Sequence, residues 1–141
     1  MTERSSVAGE ERRLIEGIFD GDEETVRALT RSLDSERVHR VMLGAFTLAV
    51  HRQFPSDYTP EQVSAFVADL RRRLENGEQL NPMPTEALVR SALDEPDLRR
   101  GINAQDAYNA YVAVTFAYGQ DHNLHGLERD EFVAEVLEAV G

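Results

Sequence analysis

Val41-Met42-Leu43-Gly44-Ala45-Phe46-Thr47-Leu48-Ala49-Val50 carries no charge, and neither does the stretch from Ala107 to Gln120, AYNAYVAVTFAYGQ. Elsewhere charge is dense, at 29% of the 141 residues. A run without charge in such a chain marks a buried segment. Apolar residues all round the helical repeat mark a helix covered on most sides. Each run is followed by a short polar segment and then an amphipathic one, Pro60 to Leu74 and Glu128 to Val140. The pattern predicts an all-α domain of six to seven helices, with two similar helix–loop–helix halves around two buried central helices.

Working outward, Glu10 to Phe19 reads as a short helix with Leu14, Ile15, Ile18 and Phe19 on one face. Asp20-Gly21-Asp22 ends it and caps the next, whose apolar face is Val26, Leu29 and Leu33. Asp34 or Ser35 opens the first central helix, Glu36 to Phe54. Gly44 costs that helix about 1 kcal/mol against Ala, which a close approach of the other central helix offsets. Thr59-Pro60-Glu61-Gln62 has the residues of a capping box with Pro in the first turn. The helix it starts ends at Asn76-Gly77. Glu78 to Pro84 reads as a linker, and Thr85 to Leu93 as the next helix. Asn103 caps the second central helix, which runs to about Gln120 and packs through Ala110, Ala113 and Ala117. The halves span 10–77 and 84–141 of a single 1–141 domain, with 1–9 expected to be flexible.

The halves also align weakly with each other. An offset of 70 residues matches the central helices, and an offset of 66 places Phe66-Val67-Ala68-Asp69-Leu70 on Phe132-Val133-Ala134-Glu135-Val136. The two offsets differ by about one helical turn, so both keep the buried face in place.

Composition narrows function. There is no Cys, which removes disulfides, thiol nucleophiles and Cys-ligated metals. The net charge of −11 argues against nucleic acid and against anionic membrane surfaces, both of which call for clustered cations. All 15 basic residues are Arg, which points to a high-GC bacterial genome. No secretory signal is visible at the N-terminus, and the uncharged runs are shorter than the roughly 20 residues of a membrane span. A cytoplasmic protein is expected.

The segment Asp121-His122-Asn123-Leu124-His125-Gly126, with Asp130 and Glu131 beyond it, resembles an EF-hand calcium loop. Asp121, Asn123 and Gly126 match its first, third and sixth positions. His125 stands at the fifth and Phe132 at the twelfth, where the motif wants oxygen ligands. The layout of residues 36 to 141 also resembles the TerB-like helical fold, in which paired helix–loop–helix units carry acidic, metal-binding loops. Both resemblances imply a divalent cation held by the 121–131 loop. His122 and His125 further read as H-x-x-H, which Asp121 or Asp130 could extend toward a zinc-like set, with His39 or His51 approaching from the other half. The plain alternative is a solvated turn.

Tyr108, Tyr111 and Tyr118 fall near one side of the second central helix. They are either core aromatics or the wall of a groove for a ligand or a partner's helix. Arg71-Arg72-Arg73, Arg99-Arg100 and Arg12-Arg13 are short basic clusters suited to phosphate or to helix-end charge compensation. No phosphate loop, nucleophile elbow or dinucleotide fingerprint occurs, and the seven Ser lie in no nucleophile context. The sequence therefore leads to a non-enzymatic regulatory or adaptor domain that binds another protein and can self-associate, with no cofactor. The first alternative is a divalent-metal module using Asp121, His122, Asn123, His125, Asp130 and Glu131. The second is a small-molecule binder or enzyme with a pocket beside residues 104–120.

Overall fold

The two uncharged runs lie inside helices α3 (Ser35–Gln53) and α6 (Ala104–Asp121). The computed structural model describes residues 3–74 and 77–141, with side chains from residue 9 onward. Around the central pair are α1 (Glu3–Asp20), α2 (Glu23–Ser32), α4 (Pro60–Arg73), α5 (Pro82–Leu93) and α7 (Gly126–Val140). Short 3-10 turns occupy Gly77–Gln79 and Pro96–Arg99. No strand occurs among the described residues, so the fold is all-α.

The caps follow the sequence closely. Asp22, Asp34, Thr59 and Asn103 each accept a backbone N–H of the first turn of α2, α3, α4 and α6. Thr59 and Gln62 form the complete capping box, with Pro60 in the first turn. Three boundaries differ. α1 reaches back to Glu3 rather than starting at Glu10, since nothing from Glu3 to Ala8 breaks a helix and Gly9 costs only about 1 kcal/mol. α5 takes in Pro82 and Pro84, because a first turn has no use for their missing N–H groups. α7 begins at Gly126, two residues before Glu128. Of the expected stop Asn76-Gly77, Asn76 lies outside the described residues. A Cβ on Gly77 would stand 1.7 Å from the Arg71 carbonyl oxygen, which is why glycine occupies that turn.

α3 and α6 lie against each other through the middle of one continuous apolar core. Phe46, Val50, Val114 and Phe132 are sealed within it. The helices that cover the pair are exchanged between the halves. α3 packs chiefly on α6, α7 and α5, not on the α4 that follows it. α6 packs chiefly on α3, α1 and α5, not on the α7 that follows it. Each helix–loop–helix elbow is instead braced by one aromatic pair. Phe54 meets Phe66 edge-on at 5.2 Å, and Tyr118 stacks on Phe132 at 5.5 Å. Phe66 and Phe132 are the positions that the 66-residue offset equates.

Gly44 serves a different neighbour from the one its sequence position suggests. A Cβ there would meet Val140 and Val136 at 3.1 and 3.3 Å, so Gly44 admits α7 rather than α6. The close approach on α6 is at Gly119, where a Cβ would come within 2.6 Å of the Phe19 ring.

Charged residues tie the helices together at the surface. Glu11, 3% exposed, accepts both the Nε and Nη2 of Arg37 at 2.8 and 2.9 Å. Arg12 pairs with Asp130, Arg52 with Glu135 and Arg129 with Asp20. In the triple-arginine run, Arg71 donates to the Leu80 carbonyl, Arg72 lies beside Asp69, and Arg73 joins Asp69 and Asp121. Arg71 and Arg73 therefore tie the end of α4 to Leu80 and to the end of α6. No helix among the described residues is long and apolar enough to cross a membrane.

Candidate functional site

The connection after α6 is much shorter than a calcium loop. α6 continues through Asp121 and α7 starts at Gly126, which leaves four residues, His122 to His125, between them. Asn123 takes a left-handed backbone, φ 49°, and Gly126 another, φ 57°. Asp130 and Glu131 sit on α7 itself, not in a loop. An EF-hand needs twelve loop residues to wrap a cation, and helix propensity from Leu127 onward has absorbed the second half of that span.

The groups there already have protein partners. Asp121 receives two N–H groups of Arg73, at 2.6 and 3.3 Å. His122 Nε2 lies 3.2 Å from the Gln53 side-chain oxygen, and its ring packs 4.6 Å from that of Tyr118. His125 Nδ1 donates to the Asn123 carbonyl at 2.7 Å. Asp130 accepts Arg12 at 2.6 Å. Glu131 is exposed on α7. Among the described residues, no three His, Asp or Glu side chains gather around a point that one cation could occupy. The donor set is thus distributed over four separate contacts and does not fit a divalent ion.

The tyrosines divide. Tyr108 and Tyr111 line an open cleft of about 750 Å³ between α3, α5 and α6. Tyr118 does not reach it. Seven residues beyond Tyr111, it lies two turns down the helix, buried against Phe132 and His122. The helical wheel places all three on one side, but the rise along the axis separates them by roughly 10 Å.

The floor of the cleft is apolar. Val38, Met42 and Leu43 rise from α3, Leu88 from α5, Ile102 from the segment before α6 and Ala107 from its first turn. Tyr111 is held on this floor by Phe46, 5.0 Å away, and flanked by His39 at 5.9 Å. His39, Arg99 and Arg100 stand at the edge. None of the lining residues is acidic, although 26 of the 141 residues in the chain are. Arg100 has one loose partner, Asp97 at 3.6 Å, with both side chains more than four-fifths exposed. Arg99 has no carboxylate within 4.0 Å among the described residues.

Burial raises the pKa of both cleft tyrosines. For Tyr111, Arg99 pulls the other way, and for Tyr108, Arg27 lowers while Glu23 raises. Both phenols stay protonated at neutral pH. Among the described residues neither hydroxyl has a hydrogen-bond partner within the chain, so both can bond to something that enters. The cleft thus offers an apolar floor, two phenol donors and two guanidinium groups.

Arg99-Arg100 and the tyrosines stand out in the sequence. The contribution of α3 is not legible in the same way. Val38, Met42 and Leu43 read as core, and His39 reads only as a stray metal ligand. Their spacing of three to four residues does place them on one helical face, which is the single available signal. A second, smaller depression is lined by Asp20, Asn123 and Arg129, with Gly119 at its base. Two of its lining residues, Arg129 and Asp20, pair with each other, and Arg129 also donates to the Glu16 carbonyl. No family model matches the chain, and no curated protein or solved structure shows significant similarity to it.

Proposed function

We propose that this helical domain works by binding another protein, and that the cleft between α3, α5 and α6 is where the partner docks. The observation that supports this reading is the cleft itself, an apolar depression with polar groups at its edge and hydroxyls left free. A binding surface of this kind needs a desolvated apolar centre for affinity and a polar rim for orientation. The Arg73–Asp121, Arg12–Asp130 and Arg52–Glu135 pairs give the opposite end of the bundle a structural role instead.

A photo-crosslinking amino acid at Ala104, on the cleft wall, tests the reading against the same group at Ala28, on the exposed side of α2. In cells of the source organism, a discrete protein adduct is expected from position 104 and none from position 28. Adding Leu43→Arg, which fills the floor with charge, should abolish the adduct while circular dichroism stays unchanged. Equal adducts at the two positions, or an adduct indifferent to Leu43→Arg, would end the proposal.

A further inference from the structure

The charge pattern of the cleft identifies what kind of partner it takes. We infer that the occupant is an acidic amphipathic helix, about two turns long, whose apolar stripe lies on the α3–α6 floor and whose carboxylates meet Arg99 and Arg100. The inference rests on the docking reading above and adds the partner's chemistry.

Three features of the cleft support it. The first is electrostatic. In a chain of net charge −11, the cleft is lined by two arginines and His39 and by no carboxylate. Nearby acids in the sequence have partners outside the cleft, Asp34 and Asp106 at helix N-termini, Glu36 with Arg40 and Glu23 with Arg27; Asp97 alone touches a cleft arginine, loosely, 3.6 Å from Arg100 in an exposed pair. Arg37, Arg52, Arg73 and Arg129, on other faces, are bridged to carboxylates on other helices. Arg99 and Arg100 are not, so their charge is available to a ligand. A guanidinium beside a desolvated floor binds a carboxylate better than one in open water.

The second feature is shape. The floor is the groove between two helices packed side by side, the surface on which a third helix normally rests. From Ser35 to Leu43 the α3 wall is about 12 Å long, the length of about eight helical residues. The third feature is hydrogen bonding. The protonated phenols of Tyr108 and Tyr111 each have an O–H to donate to a carboxylate oxygen; since a phenol oxygen also accepts, the choice of an acidic partner rests on the arginines.

Fluorescence anisotropy with a labelled twelve-residue peptide tests the assignment. The probe carries Leu at helical spacing i, i+3, i+4 and i+7, with Glu on its flanks. A control replaces each Glu by Lys. The acidic peptide should bind at least about tenfold more tightly than the basic one at low salt, and should weaken as sodium chloride rises. The double variant R99E/R100E, altered only at exposed positions, should reverse the order of the two peptides. Equal binding of both peptides, or an order unchanged by R99E/R100E, overturns the inference. So does displacement of the acidic peptide by decanoate at equal concentration, since that would make the site one for small amphipathic anions. Concentration-dependent self-association lost in R99E/R100E would make a second copy the occupant and would also overturn it. If the Ala104 adduct forms but no acidic peptide binds, docking stands and the acidic-helix assignment falls. Failure of both removes both.

Discussion

The connection between α6 and α7 and the cleft between α3, α5 and α6 hold comparable numbers of polar groups, and they differ in what those groups face. At the connection, Asp121, His122, His125 and Asp130 each meet another part of the same chain. At the cleft, Arg99 and the hydroxyls of Tyr108 and Tyr111 meet none among the described residues. A cluster that looks functional in sequence can be fully occupied by its own fold. A cluster only partly legible in sequence, through Arg99-Arg100 and the tyrosines but not through α3, can be the one left open. Availability of the donors and acceptors, more than their density, separates a binding surface from a structural joint.

The largest effect should come from the core beneath the connection. Phe132, fully buried between Phe19 and Tyr118, should lose about 3–5 kcal/mol on replacement by Ala. Leu43→Ala, on the open floor of the cleft, should lose about 1 kcal/mol or less, since water already reaches part of that side chain. Urea midpoints of the two variants measure the contrast, and equal losses would break it.

Glycine substitution comes next. Gly119→Ala drives a methyl group to 2.6 Å from the Phe19 ring and should cost about 1–3 kcal/mol. Gly44→Ala meets only the ends of Val136 and Val140 at 3.1 Å or more, and gains helix propensity of about 1 kcal/mol. It should be the better tolerated of the pair by thermal melting.

Smaller again is the joint's own ion pair. Asp121→Asn should cost about 0–1 kcal/mol, as exposed pairs do. It should also leave thermal stability equally indifferent to millimolar calcium, magnesium, manganese or zinc. A rise in melting temperature with any of these in the parent chain, lost in Asp121→Asn, would mean that the connection binds metal after all.

The smallest effect is a pH dependence. Hydrogen bonds from Arg90 and Tyr58 hold the Glu95 carboxyl below its usual range, and the bonds from the Thr25 hydroxyl and N–H do the same for Asp22. A depressed folded-state pKa adds stability above the unfolded value that is lost as pH falls through the folded one. Denaturation midpoints should therefore decline as pH drops below the ordinary carboxylate range. Glu95→Gln should make that decline shallower, whereas Arg99→Ala, with no carboxylate partner, should leave its slope unchanged.

Much of the fold was legible because its determinants are local. The uncharged runs, the capping residues Asp22, Asp34, Thr59 and Asn103, and the apolar stripes each act within a few residues of themselves. What was not legible depends on which helix arrives from afar. Gly44 advertises a close neighbour without saying that it is α7. Tyr118 shares a wheel position with Tyr111, yet lies two turns away against Phe132. The cleft needed α3 and α6 to lie side by side before Leu43 and Ile102 could share a floor. At the connection, the acidic residues were visible but the arginines that neutralise them were not, since Arg73 and Arg12 come from 48 and 118 residues away.

The exchange of covering helices has a bearing on how the chain acquires its structure. Gly44 and its neighbours on α3 wait for α7, some ninety residues further along, before their apolar face is closed. Helical proteins usually fold quickly because most of their contacts are local, and distant pairings slow the search. During synthesis, α3 would therefore leave the ribosome long before its cover exists. A chain stopped before Gly126 would leave the Gly44 face of α3 open to any chaperone, or to another nascent copy.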